Sequence, residues 1–164
     1  MLKFIVGIAI VAFSSFCGYM LAGKYRKKKE FFVQFALFNE RFIAELSYYK
    51  RPIKEFSSQY NYKGEFEILL QEFLNTLSSH DYLFNEWTLS SQFFFLNEDE
   101  KRILSEYFIT LGRSDTQSQK NYFFTAKDRL NSMRDEAEKT CTKYADLYVK
   151  LGFLCGLFIL ILIL

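Results

Sequence analysis

The chain has 164 residues, with 21 Lys and Arg against 19 Asp and Glu for a formal net charge of +2, and one fifth of it is aromatic. Charges so nearly balanced, with bases interspersed among acids, exclude nucleic acid as the expected partner. Cys17, Cys141 and Cys155 are too widely spaced for a disulfide framework or a zinc site, and a single proline argues for long unbroken helices.

No charge falls between Phe4 and Gly23, a run of roughly 30 Å as a helix, which suffices to cross a bilayer. A cleaved signal peptide fits less well. Met20-Leu21-Ala22 lacks the small residue needed three positions before a cut, and Phe16 stands where a lipoprotein signal needs a small residue before Cys17. Residues 1–23 are therefore expected to be a transmembrane helix. The five bases between Lys24 and Lys29 should hold its carboxyl end in the cytoplasm and put Met1 outside. Ser14, Gly18 and Ala22 form a small-residue row, a candidate for close helix packing in the membrane.

Phe31, Phe35, Phe38, Phe42, Leu46 and Tyr49 then recur at steps of three and four, with Glu40, Arg41, Glu45 and Lys50 off the stripe. This is an amphipathic helix leading out of the membrane. Shorter helices follow. Pro52 can take the first helical position of one running to about Tyr60. Lys63-Gly64 opens the next, with Phe66, Leu69, Leu70, Phe73 and Leu77 inward. Ser79 or Asp81 caps another carrying Leu83, Phe84 and Trp87. Phe93, Phe94 and Phe95 exceed what one helix face buries, making them a candidate hydrophobic partner surface. Asn97, with Glu100 three places on, has capping-box spacing before Ile103, Leu104, Tyr107, Phe108 and Leu111. No stretch alternates as a strand does.

At Thr110 to Asp115 the sequence reads TLGRSD. Gly112 is placed to end one helix, Ser114 with Gln117 to cap the next, and Asp115 to sit at its positive end. The cluster is expected to be a helix-to-helix corner. An anion could dock there with Arg113, but without further glycines or a phosphate-loop lysine a partner's acidic side chain is the better visitor. Gly112, Arg113, Ser114, Asp115 and Gln119 are the candidate contact residues. From Ala126 the steps Leu130, Met133, Ala137, Cys141, Tyr144, Tyr148 and Leu151 continue for about seven turns. Two amphipathic arms tied to one bilayer face should pack antiparallel.

Leu151 to Leu164 is only about 21 Å of helix, but extension to Leu147 reaches about 27 Å with Lys150 able to snorkel. Residues 147–164 are thus a second expected span, and 24–146 a cytoplasmic helical bundle. Gly152 and Gly156 make a G-x-x-x-G pair, a second candidate for packing in the membrane.

Little in this chain suggests catalysis. Ser79-His80-Asp81 has the letters of a triad, but adjacent residues cannot relay a proton in line. Glu98-Asp99-Glu100 is what a helix dipole favours in a first turn. Metalloprotease, phosphate-loop, C-x-x-C and G-x-S-x-G signatures are absent, so no enzyme, metal or cofactor is expected.

Several stretches together carry a likeness. They are an opening MLK with an N-terminal span, Tyr-x-x-x-Pro-[hydrophobic]-x-Glu from Tyr48 to Glu55, and a central Trp87. There follow Thr110, Leu111, Gly112, Asp115, Ser118 and Gln119 as Thr-Leu-Gly-x-x-Asp-x-x-Ser-Gln, an acidic run from Met133 to Glu138, and Leu-Gly-x-Leu-x-Gly-Leu from Leu151 to Leu157. In this order and over the whole length the chain resembles the stage III sporulation protein AB family of endospore-forming bacteria. It departs in carrying Phe where aliphatics are usual and Tyr49-Lys50-Arg51 before Pro52. The resemblance implies a component of the channel complex joining mother cell and forespore. It would be anchored in the mother-cell membrane, with a cytoplasmic domain similar to type II secretion F-type platform domains. Implied partners are other sporulation channel proteins and a secretion-type ATPase; a second copy of the chain is a further candidate. The expected fold is an all-α bundle whose long antiparallel arms continue into two transmembrane helices. The expected role is a non-enzymatic platform. The alternative is a two-span signalling or adaptor protein, for which almost no chain is left outside the membrane to receive a stimulus.

Overall fold

A computed structural model describes residues 2–49, 51–79, 93–111 and 116–163. Of these, 91% are helical and none is in a strand. Five helices are present among them: α1 Leu2–Tyr48, α2 Ile53–Ser58, α3 Gly64–Ser79, α4 Glu98–Leu111 and α5 Thr116–Ile163. The all-α expectation holds. The helix anticipated around Leu83, Phe84 and Trp87, the His80-Asp81 step, and Gly112, Arg113, Ser114 and Asp115 all lie outside the described residues. Gln119 falls in the first turns of α5.

Local chemistry accounts for the helix starts. At α4 the backbone N–H of Asn97 donates to Glu100 Oε2 at 2.9 Å and that of Glu100 donates to Asn97 Oδ1 at 2.8 Å, so the capping box is complete. Pro52 sits one position earlier than expected, as the residue before α2. Its ψ of 143° is extended, and its carbonyl accepts the Phe56 N–H at 3.0 Å. Gly64 opens α3 at φ +64°, where a side chain is strained, and a Cβ there would fall 3.1 Å from the Glu30 carboxylate.

The chain divides into two compact units, residues 1–29 with 135–164, and residues 30–134. In the first, α1 and α5 run antiparallel. Partners on α5 fall in number as those on α1 rise, from Gly7 against Leu160, through Val11 against Gly156 and Gly18 against Tyr148, to Tyr25 against Tyr144. Both helices are long and apolar enough to cross a membrane, and only 17% and 11% of their most apolar stretches are buried within the protein. The core helix of a water-soluble protein would hide most of that surface. Here Phe13, Phe16, Met20, Leu154 and Phe158 point outward, which suits a lipid surround.

The second unit has a core made largely of aromatic rings. The expected stripe of α1 is buried at Phe31, Phe35, Phe38 and Phe42. Phe38 meets Phe56 of α2 at 5.7 Å, Phe35 meets Phe66 of α3 at 5.5 Å and Tyr107 of α4 at 4.7 Å, and Phe42 meets Phe123 of α5 at 5.0 Å. Because four helices pack around it, the buried face of α1 is wider than one stripe and includes Phe32, Ala36, Asn39 and Ile43. The stripe also ends early. Tyr49 is 67% exposed, while Glu45, expected on the outer face, is buried. On α3 the inward face ends at Leu74, and Leu77 is partly exposed.

Candidate functional site

The residues singled out for helix packing come together in the first unit. The Ser14 hydroxyl donates to the Gly152 carbonyl at 2.6 Å, and Gly18 and Ala22 are buried on the same side of α1. A Cβ on Gly18 would lie 2.5 Å from the Tyr148 carbonyl oxygen and 3.2 Å from Gly152 Cα. One on Gly152 would lie 2.7 Å from the Ser14 carbonyl oxygen, and one on Gly156 2.8 Å from Val11 Cα. These neighbours are backbone atoms, so the helix axes are close only because hydrogens stand where side chains normally do.

In the second unit, burial of a polar group makes Asn39 a key residue. Its Nδ2 donates to the Phe123 carbonyl at 3.2 Å and its Oδ1 accepts from the Tyr107 hydroxyl at 2.9 Å, so one amide ties α1 to α4 and α5. A phenol is protonated at physiological pH in any case, and burial pushes that of Tyr107 well above its usual range, so it stays a donor. Asn39→Leu leaves a buried hydroxyl unpaired and is expected to cost about 1–3 kcal/mol. The pair Asn39→Leu with Tyr107→Phe should recover part of that loss in denaturant titrations of the full chain in micelles. No recovery would mean that the hydrogen bonds are incidental.

Glu45 is the second such residue. Arg51 Nε donates to Oε1 at 2.8 Å, its NH2 to Oε2 at 2.6 Å and its backbone N–H to Oε1 at 3.1 Å, a two-pronged clamp closing the turn between α1 and α2. The guanidinium hydrogen bonds hold the Glu45 carboxyl below the usual carboxylate range, against burial, which raises it. A depressed native value contributes stability in full above the unfolded carboxylate range and loses it as pH falls through the native value. The stability gap between wild type and Glu45→Gln should therefore be constant near neutral pH and narrow progressively as pH falls below the ordinary carboxylate range. A gap that ignores pH would count against the clamp.

The three-phenylalanine run is divided. Phe93 and Phe95 are buried against Phe31, at 6.1 and 5.7 Å between ring centres, and so are not available as a surface. Phe94 is 66% exposed. Phe31 has room for both inward rings because it faces α3 and the 93–96 segment together. Between α4 and α5 runs a groove of about 150 Å³, lined by Ile103, Glu106, Tyr122, Ala126, Arg129 and Leu130 among others. Among the described residues no group of three or more His, Cys, Asp or Glu is arranged to hold a metal ion.

Periodicity found the seam residues but missed Asn39 and Glu45. Asn39 lies four places after Phe35, which placed it beside the stripe, yet polar side chains there are usually solvated. Glu45 and Arg51 are six apart across a turn, a spacing no helical rule pairs.

Compared with known protein families, residues 3–164 match the model described as stage III sporulation protein AB. No curated protein and no solved structure matches the chain.

Proposed function

The chain belongs to the stage III sporulation protein AB family, matched over residues 3–164, and from that membership we propose that it is a membrane-anchored platform in the channel complex joining mother cell and forespore. In this reading it sits in the mother-cell membrane, its bundle lies in the cytoplasm, and it docks a secretion-type ATPase without catalysing a reaction itself. The family match carries the proposal. Two further features support it: a pair of apolar helices suited to a bilayer, and a separate aromatic-cored bundle within residues 30–134 that offers a partner a firm surface. The five bases from Lys24 to Lys29 favour a cytoplasmic bundle by the positive-inside bias.

The deciding experiment is a pull-down of the tagged full chain from sporulating cells during engulfment. Recovery of a secretion-type ATPase with other channel proteins is the expected result. Channel proteins without the ATPase would remove the docking role, and neither would overturn the platform reading. Sidedness is checked separately. Protease inside the mother cell should cut within residues 30–134, and cutting only from the outer side would invert the topology.

A further inference from the structure

Charge is segregated between the two units. Residues 1–29 and 135–164 hold nine Lys and Arg against four Asp and Glu, a net +5, so the other unit is −3 within a chain of +2. Eight of those nine bases lie at 24–29 or 139–150, immediately beside the apolar stretches. Two of them, Lys24 and Lys143, rest on rings of a tyrosine stack contributed by both helices. Tyr25 of α1 lies nearly parallel to Tyr144 and Tyr148 of α5, with ring centres 5.4 and 5.8 Å apart. Lys24 Nζ is 4.9 Å from the centre of the Tyr25 ring, Lys143 Nζ is 5.2 Å from that of Tyr144, and the Arg26 guanidinium is 4.3 Å over Tyr19. Two of the unit's acids are held by other bases, Glu138 by Lys29 at 3.0 Å and Asp146 by Lys150 at 3.5 Å.

Tyrosines favour the depth at which acyl chains give way to headgroups, since the ring is apolar and the hydroxyl is not. A cation resting on such a ring is held at that depth while its N–H groups remain available to an oxygen acceptor. We propose that this collar is a binding site for anionic phospholipid, in which Lys24, Arg26 and Lys143 hold headgroup phosphates and the acyl chains lie along the exposed apolar faces of α1 and α5. The assignment rests on reading those helices as membrane spans. A lipid is favoured over a free anion because only a lipid uses both halves of the surface, the cations and the adjoining apolar residues Phe16, Met20 and Leu151, all exposed.

The test uses the full chain in micelles containing equal phosphatidylglycerol and phosphatidylcholine, with retained lipid identified by native mass spectrometry. Wild type should retain phosphatidylglycerol in preference by about tenfold or more at low salt, and less as salt rises. K24Q/R26Q/K143Q should fall close to parity, whereas K63Q/R102Q/K127Q, which removes as many bases from the other unit, should keep the preference. A collar variant that keeps it, or a control that loses it equally, overturns the site. Inorganic phosphate should fail to displace the lipid, and displacement would reassign the collar to a free anion. Alkaline extraction of membranes separates the two failures. Wild type released into the supernatant means the membrane reading itself is wrong, while wild type retained without lipid preference means that only the collar is.

Discussion

Gly18→Leu is expected to part α1 from α5 in the unit of residues 1–29 and 135–164. Even a methyl group at Gly18 falls 2.5 Å from the Tyr148 carbonyl oxygen, and neither that atom nor the Gly152 Cα at 3.2 Å can swing aside as a flexible side chain would. The helices must separate or rotate, at a cost of about 1–3 kcal/mol by analogy with overpacked cores, and the Ser14 bond to Gly152 goes with them. Gly23 supplies the internal control. A Cβ there meets nothing within 4 Å, so Gly23→Ala should only add helix propensity, about 1 kcal/mol in favour. Spin labels at the outward positions Phe13 and Phe158, in a cysteine-free background, report the result. Gly18→Leu should lengthen or broaden their distance distribution and Gly23→Ala should leave it unchanged. Two superimposable distributions would show that the seam does not hold the pair.

The second large effect is expected at Phe38. This side chain is fully buried, and its ring lies within 6.4 Å of Phe42, Phe56, Tyr62, Phe66 and Tyr107, so it contacts or adjoins residues from α2, α3 and α4 at once. Truncation to alanine removes the transfer free energy of the ring and leaves a cavity that surrounding rings, stiff and mutually packed, cannot collapse to fill. A loss of about 3–5 kcal/mol follows, a large share of what holds an ordinary domain folded. Phe124, 48% exposed on α5, is the comparison, and Phe124→Ser should shift stability by no more than about 0.5 kcal/mol. Denaturant titration of the full chain in micelles, followed by near-ultraviolet circular dichroism, distinguishes them. Similar midpoints for the two variants would mean that the aromatic core is not the source of the bundle's stability.

Helices with one neighbour were the legible ones. Where α1 and α5 face each other in a pair of otherwise exposed apolar helices, spacing marked Ser14, Gly18, Gly152 and Gly156 as candidates, because small residues four apart fall on one side of a helix, and the structure then places their backbones in close approach. Caps were legible for the same reason. Asn97 and Glu100 bond within one turn, and no distant residue has to be known.

What needed the tertiary structure was every choice involving more than one neighbour. Periodicity named Phe31, Phe35, Phe38 and Phe42, yet the width of the buried face, with Phe32, Asn39 and Ile43 included, depends on α3, α4 and α5 arriving from different sides. Asn39 is tolerated inside because Tyr107 and Phe123, 68 and 84 residues away, bring a donor and an acceptor to it. Glu45 is tolerated because the chain turns back to place Arg51 against it. Phe93 and Phe95 leave the surface because Phe31 waits for them. Helical type and caps follow from interactions within about four residues, and span length from an unbroken apolar run, all of which a sequence displays directly. Partner identity across long loops is set by the packing of all the helices together, and no local pattern encodes it.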